Sequence, residues 1–432
     1  MKGRKFYAGL ATAVMASGVL LAGCGGAEEE NNASSGDKVV VDVFQYKVEF
    51  KDQFEDLVSK YEEENPGVDI NVKTVGGGND YAASVKASFS SGDEPDIFNV
   101  GGPSEVAEYR DYLADLADTE AAKAALEGTL TSVTDGEEIL GLPYNQEGYG
   151  YIYNKTVFEK AGINADEIKT YEDLEAAVNT LDSKKEELGL DAVFALAAKE
   201  TWVLGNHLAN VYFAPDFNHD VVEAFNAKTI PMTKSTELQR MLDLQADYSV
   251  QPVLSLDYSQ QVEQLFSLQK VAMMQQGNWT YNSIYEIDPE FAENNIGIIP
   301  IPAEGFEGKL PVGVPQYWVV NKQADEKVVE ESKKFLDWMY TSETGKTAVM
   351  EDFKFIPAYE GYDTTKIADP LSQEIYRYAS EGNTIGWVFL GSPIGWQEEV
   401  LAVNMQKYLS GETTWEEAMK AAQDSWEKSR QQ

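Results

Sequence analysis

The chain has 432 residues, 43% of them hydrophobic and 11% aromatic, which is more than one hydrophobic core ordinarily absorbs and enough to fill two. Its 73 acidic residues against 34 basic ones give a formal net charge of −39, which excludes nucleic acid and anionic lipid head groups as partners of a broad surface but leaves neutral ligands unpenalised. A single cysteine, Cys24, excludes an internal disulfide and a cysteine metal site.

Lys2, Arg4 and Lys5 precede an apolar run from Phe6 to Leu21 and the small-residue sequence Leu21-Ala22-Gly23-Cys24. The run is short for a membrane span and has the layout of a targeting signal, predicted over 1–23. The Leu-Ala-Gly-Cys sequence resembles a bacterial lipoprotein signal, which implies lipidation of Cys24 as the first residue of the mature chain. Removing the three basic residues takes the net charge from −39 to −42. Residues 24–37, rich in Gly, Glu, Asn and Ser without apolar periodicity, are expected to form a flexible tether.

From Val39 the pattern becomes globular. Val39 to Phe44 reads as a buried strand, and Phe54, Leu57, Val58 and Tyr61 recur at helical spacing until Asn65-Pro66-Gly67. Val68, Ile70 and Val72 alternate as a second strand, completing a right-handed βαβ unit. A helix with Tyr81, Val85 and Phe89 on one face leads to a third strand, Asp96 to Val100. Parallel α/β sheets bind ligands at the carboxyl ends of their strands, and Gln45, Tyr46, Lys47 and Glu49 follow the first strand. Gly76-Gly77-Gly78 lacks the Lys-Ser/Thr pair and the helix-opening spacing of a phosphate loop.

The central stretch runs from Gly141 to Lys155. Gly141, Pro143, Gly148 and Gly150 punctuate it, and Tyr149, Tyr151 and Tyr153 alternate as in a strand. We read it as a crossing between two lobes, with Asn145, Gln146 and Glu147 at the hinge. Beyond it, Thr170 with Asp173 predicts a helix-capping box, and Asp191 to Ala198 a strand with Trp202 in the following loop. Lys270 to Met274 is a further strand, ending in Gln275-Gln276-Gly277-Asn278-Trp279. Residues 296–302 and 312–321 read as strands, the second with Gln316-Tyr317-Trp318, followed by an amphipathic helix from Val328 to Met339. Trp387 and Trp396 precede the last helices.

For catalysis the sequence offers little. His207 and His219 are twelve apart with Pro215 between them, so they read as polar surface or loop residues and not as a helical metal pair. There is no Gly-x-Ser-x-Gly elbow and no cysteine–histidine pairing. Glu147 is the one carboxylate with a clear cleft position, and no second acid matches it across the other lobe. Binding fits better: Trp202, Trp279, Trp318, Trp387 and Trp396 lie in or beside loops, next to amides and carboxylates. Aromatic faces cover the C–H surface of sugar rings while polar side chains take the hydroxyls.

From Val39 onward the chain resembles the extracellular solute-binding proteins (family 1) of carbohydrate ABC transporters, the group that includes the maltodextrin-binding proteins. The resemblance lies in Gly92-Asp93-Glu94-Pro95-Asp96-Ile97-Phe98, in Gly141-Leu142-Pro143-Tyr144 with Tyr153-Asn154-Lys155-Thr156-Val157-Phe158, in Ala272-Met273-Met274 through Gly277-Asn278-Trp279, and in Leu409-Ser410-Gly411-Glu412 leading to Trp415-Glu416-Glu417-Ala418. It implies an α/β, two-lobed type II periplasmic-binding-protein fold, each lobe a mostly parallel sheet flanked by helices. The expected domains are 38–146 with 312–355 and 147–311 with 356–432. It implies an oligosaccharide, such as a malto-oligosaccharide, as ligand and an ABC permease as partner, with a lipid anchor at the outer face of the bacterial membrane. The expected ligand contacts are Tyr46, Lys47, Glu49, Asn145, Glu147, Trp202, Trp279, Tyr317, Trp318, Trp387 and Trp396, with no cofactor, no metal, no nucleic acid and a monomeric chain. The family's tryptophan after the third strand has no counterpart, since Gly101-Gly102 stands there. A cell-surface glycoside hydrolase, or a binding protein for peptides or polyamines, is the alternative.

Overall fold

A computed structural model describes residues 38–75 and 81–431. The signal 1–23, the tether 24–37 with Cys24, and Gly76-Gly77-Gly78 lie outside the described residues.

The strands are β1 (Val39–Gln45), β2 (Val68–Thr74), β3 (Ile97–Val100), β4 (Thr134–Asp135), β5 (Glu138–Ile139), β6 (Leu142–Pro143), β7 (Glu147–Asn154), β8 (Ala192–Ala195), β9 (Val271–Gly277), β10 (Ile296–Ile299), β11 (Leu310–Gly313), β12 (Tyr317–Val320) and β13 (Thr384–Ile385). They form two large sheets and a small β4–β5 hairpin. The first sheet has the order β2-β1-β3-β12-β6, with β1 parallel to both β2 and β3 as the βαβ reading requires, and β12 antiparallel to β3 and β6. The second has the order β13-β11-β7-β9-β8, with β10 also on β7. Here pairing is more mixed than expected: β7 runs antiparallel to β9, β10 and β11, while only β8–β9 and β11–β13 are parallel.

Each sheet buries its apolar side chains under helices. In the first, the helix Lys51–Glu64 sets Phe54, Leu57, Val58 and Tyr61 inward, as their spacing dictates. The helix Glu326–Thr341 adds Phe335, Leu336, Met339 and Tyr340. Trp318 lies between Phe54 (centroids 5.6 Å, 14° apart) and Tyr144 (4.6 Å, 22°), and its indole N–H donates to Tyr340 Oη at 2.8 Å. With 1% exposure it is core. Removing such a ring leaves a cavity worth roughly 3–5 kcal/mol.

The chain passes from the first sheet to the second between β6 and β7, over Tyr144–Gln146. It returns between β11 and β12. The single strand expected over 312–321 is thus two strands in different sheets, broken at Val314-Pro315-Gln316, where proline offers no ladder donor. A third passage follows Phe355. Gln146 bridges Ile356, which already packs in the second core, but Ala358 and Tyr359 pack in the first, Tyr362 packs against both, and Ile367 is the next buried residue of the second. The capping box at Thr170 and Asp173 forms, Thr170 accepting the Asp173 amide at 3.2 Å and Asp173 accepting the Thr170 amide at 2.9 Å. The helix after the hinge, Lys155–Ala161, is capped by Asn154 and ends on Gly162 at φ 77°. Four segments, Val203–Leu208, Gln260–Phe266, Ala348–Asp352 and Trp396–Ala402, are π-helical. No helix among the described residues is long and apolar enough to cross a membrane.

Candidate functional site

A pocket lies where the sheets meet, lined from the first sheet's side by Lys47, Glu49, Phe50, Phe353, Lys354 and Phe355, from the hinge by Asn145 and Glu147, and from the second sheet's side by Asn278, Trp279, Tyr281, Asn282 and Asp369. Its volume is about 30 Å³, space for a water or two. The lobes are closed on it: Ser104 Oγ donates to the Ser392 carbonyl at 2.7 Å, and a Cβ built on Gly102 would come within 2.9 Å of Leu390. Leu390 thus occupies the space beside the Gly101-Gly102 turn, and any larger ligand needs the lobes to part.

The loop after β1 is fixed by Gln45, whose side chain is fully buried. Its Oε1 accepts the Lys47 amide (2.8 Å) and the Tyr144 hydroxyl (3.1 Å), while Nε2 donates to the Lys47 carbonyl (2.9 Å) and Thr74 Oγ1 (2.8 Å). This clamp aims the Lys47 ammonium at the Glu147 carboxylate, which opens β7, and the two form a buried ion pair. Asn145 Nδ2 donates to the same carboxylate oxygen at 3.2 Å. Asn145 Oδ1 and Tyr46 Oη are buried without a hydrogen-bond partner. A buried acceptor or donor left unmatched carries a penalty of about 1–3 kcal/mol that a ligand hydroxyl would relieve.

On the opposite wall, the end of β9 orients Trp279. Its indole N–H donates to Gln276 Oε1 at 2.9 Å, and Gln276 Nε2 in turn donates to Gln261 at 2.7 Å. Gly277 has to be glycine, since a Cβ there would stand 2.2 Å from the Trp279 ring and 2.3 Å from the Gly148 carbonyl. Asn278 ties the hinge to this wall, accepting the Gly148 amide (3.2 Å) and donating to Ser372 Oγ (3.1 Å). Trp202 meets Trp279 edge to face at 6.4 Å. Both rings are only partly buried.

His207 sits behind them, and this corrects its reading as a surface or loop residue. It is 8% exposed, on a π-helical turn, stacked on Tyr149 at 4.3 Å and 5.1 Å from the Trp279 ring. Burial lowers its pKa to about 3, so it is neutral. Asp369, also missed in the sequence, lines the pocket at 1% exposure; it caps the helix Pro370–Ser380 by accepting the Ser372 amide at 2.8 Å. Burial pushes its pKa up to about 6, against the opposing pull of that amide and of Lys354. A second carboxylate therefore does stand near Glu147, but it is engaged in holding a helix end.

Of the expected contacts, Lys47, Glu49, Asn145, Glu147 and Trp279 line the pocket, with Tyr46 and Trp202 packed beside it. The rest are placed elsewhere. Trp318 and Tyr317 lie in the first lobe's cores, because β12 is a central strand. Trp396 is 3% exposed, packed on Trp426, with its N–H donated to the Ala422 carbonyl at 2.8 Å. Trp387 is buried against Gly313, Tyr149 and His207, its indole N–H unpartnered, one layer behind the pocket. Tyr281, Asn282, Phe353, Lys354 and Phe355 went unnoticed because they reach the pocket from segments far apart in sequence. No cluster of acids and histidines among the described residues could hold a metal ion.

Comparison with known proteins agrees with this geometry. The family model described as bacterial extracellular solute-binding protein matches residues 47–346. The multiple sugar-binding protein of Streptococcus mutans is 25% identical over 346 residues, 77% of this chain and 78% of that one. Among solved structures, RafE in complex with raffinose superposes with a TM-score of 0.74 at 18% identity, covering 91% of this chain and all of the other. A sugar transporter protein of Bacillus licheniformis in complex with stachyose gives 0.70 at 20% identity, covering 90% and 100%. At these identities the superpositions establish the two-lobed fold.

Proposed function

The chain belongs to the bacterial extracellular solute-binding protein family, and from that premise we propose that it captures an oligosaccharide between its lobes and hands it to an ABC permease. It is a binding protein and makes or breaks no bond. The observation that carries the ligand class is the pairing of two walls in one pocket: the Trp279 ring, with Trp202 edge to face beside it, on one side, and Lys47, Asn145 and Glu147 on the other. Rings supply stacking surface for pyranose C–H faces, and the polar wall supplies both charged donor and charged acceptor for hydroxyls. Peptide or polyamine ligands fit less well, because the pocket's Glu147 is already neutralised by Lys47.

Binding follows a closure cycle. The open protein admits the sugar, the hydroxyls replace part of the Lys47–Glu147–Asn145 network, and the lobes shut on the ring faces. The sugars named for the structural neighbours, raffinose and stachyose, support an oligosaccharide here, as does the sugar-binding relative. The protein acts outside the cytoplasmic membrane, held there by a lipid on Cys24 and working as a monomer. Isothermal titration calorimetry with raffinose, stachyose and malto-oligosaccharides tests the ligand class; heats from an amine or peptide and none from any sugar would overturn it. Mass spectrometry of the membrane-extracted protein tests the lipid.

A further inference from the structure

A second depression adjoins the pocket and is far roomier, about 280 Å³, lined by Tyr281, Tyr285, Glu293, Lys354, Pro370 and Gln373. Tyr281 and Lys354 line both spaces, so the two adjoin with these side chains between them. Tyr281 and Tyr285 are one helical turn apart on the helix Tyr281–Ile287, which puts their rings side by side on one face, with centroids 5.9 Å apart and planes inclined by 30°. The Lys354 ammonium lies over those faces, 4.6 Å from the Tyr285 ring and 5.2 Å from that of Tyr281. Lys354 has φ 57°, a left-handed conformation in which a side chain other than glycine is strained. It comes directly after the π-helical turn Ala348–Asp352 and Phe353. The strand-like crossing that follows is part of the third passage between the lobes.

We propose that this depression is an outer sugar subsite. It takes a ring of the oligosaccharide that projects from the cleft past Lys354, which swings off the tyrosine faces to admit it. The proposal rests on the oligosaccharide reading and adds chain length to it: the protein favours sugars longer than the cleft pocket alone can hold. The chemistry matches that of the inner site. A flat aromatic wall faces the groove, Gln373 keeps its Oε1 free for a hydroxyl because its Nε2 donates to the Ile367 carbonyl at 2.9 Å, and Glu293 supplies a carboxylate acceptor at the rim. An anion gains nothing from the electron-rich faces of two phenol rings, and a cationic ligand would have to displace the Lys354 ammonium already held over them.

The test is calorimetry of the full mature chain and its Tyr285→Ala and Tyr285→Phe variants against maltose through maltoheptaose, with raffinose and stachyose in parallel. Tyr285 is partly buried and lines the outer groove but not the inner pocket, so its truncation leaves the inner pocket's lining intact. The expected result is a step in wild-type affinity at one chain length, lost by about three- to tenfold in Tyr285→Ala for sugars beyond that length, unchanged for shorter ones, and restored by Tyr285→Phe. An equal wild-type-to-variant ratio at every length, or no length step in the wild type, overturns the subsite while leaving oligosaccharide capture standing. No heat from any sugar with the wild type overturns both.

Discussion

Lys47 and Glu147 form the one ion pair whose partners are both about 6% exposed, among the described residues, and they come from different sheets. Replacing Lys47 with Met keeps the aliphatic stem and removes the charge. Glu147 would then be buried with Asn145 Nδ2, at 3.2 Å, as its remaining side-chain donor. Breaking a buried pair from one side typically costs about 3–5 kcal/mol. A retained charge-assisted donor is worth about 1.5–3 kcal/mol, so the lower end, about 3 kcal/mol, is expected. Opening the lobes would hydrate the carboxylate, so part of the loss should appear as expansion and not as unfolding. Urea unfolding and the radius of gyration from small-angle scattering measure the two parts. The double variant Lys47→Met with Glu147→Met removes both charges and should lie within about 1 kcal/mol of the wild type. A single variant as stable and as compact as the wild type, or a double variant as damaged as the single, would refute the idea that charge isolation is what matters.

Trp279→Ala should weaken binding of the cognate sugar by more than about 1 kcal/mol through lost stacking and burial, read by calorimetry; unchanged affinity would remove the platform role. His207 is held neutral with its pKa lowered to about 3 from 6.5, so the unfolded chain binds the extra proton as pH falls. That group should draw about 2 kcal/mol from stability between about pH 8 and pH 5, and His207→Gln should lose less over this range, whatever its absolute stability. Asp369 has the opposite sign: its folded pKa of about 6 lies above an aspartate's ordinary value of 3.8, so the folded state holds the proton more tightly. The stability gap between wild type and Asp369→Asn should shift against the wild type by about 3 kcal/mol from about pH 3.5 to about pH 7, in paired denaturation curves. A constant gap would mean that the carboxyl is hydrated in solution.

The two sheets were legible in the sequence wherever apolar residues alternate or repeat locally. β1, β2, β3, β7 and β9 all lie where the pattern put them. Strand polarity in the second sheet was not legible, because β7 is buried on both faces and its Tyr149, Tyr151 and Tyr153 carry no record of direction. Tryptophans misled for a related reason. Composition tells that a ring wants cover, but not whether another ring or a ligand supplies it: Trp318 finds Phe54 and Tyr144, whereas Trp279 and Trp202 stay partly open. Histidine 207 failed as a surface residue because polarity is a poor guide where an aromatic stack accepts a neutral imidazole. Asp369 and Lys354 could be placed only once the third passage brought residues after 350 back to the hinge.

The π-helical turns have an evolutionary side. Such a turn is what a regular helix becomes when one residue is inserted and the helix absorbs it locally, and these turns gather near functional sites. Deleting a single residue from Val203–Leu208 would restore α-geometry and rotate everything on one side of it by about 100°, carrying His207 off Tyr149 or Trp202 off Trp279. Gly205 would move as well, although its backbone approaches the Gln397 carbonyl too closely for any Cβ. Insertions and deletions among relatives should therefore avoid this turn or occur together with a compensating change in Trp396–Ala402, the π turn it packs against. Ligand preference in the family could then drift through single-residue gaps that leave both sheets untouched.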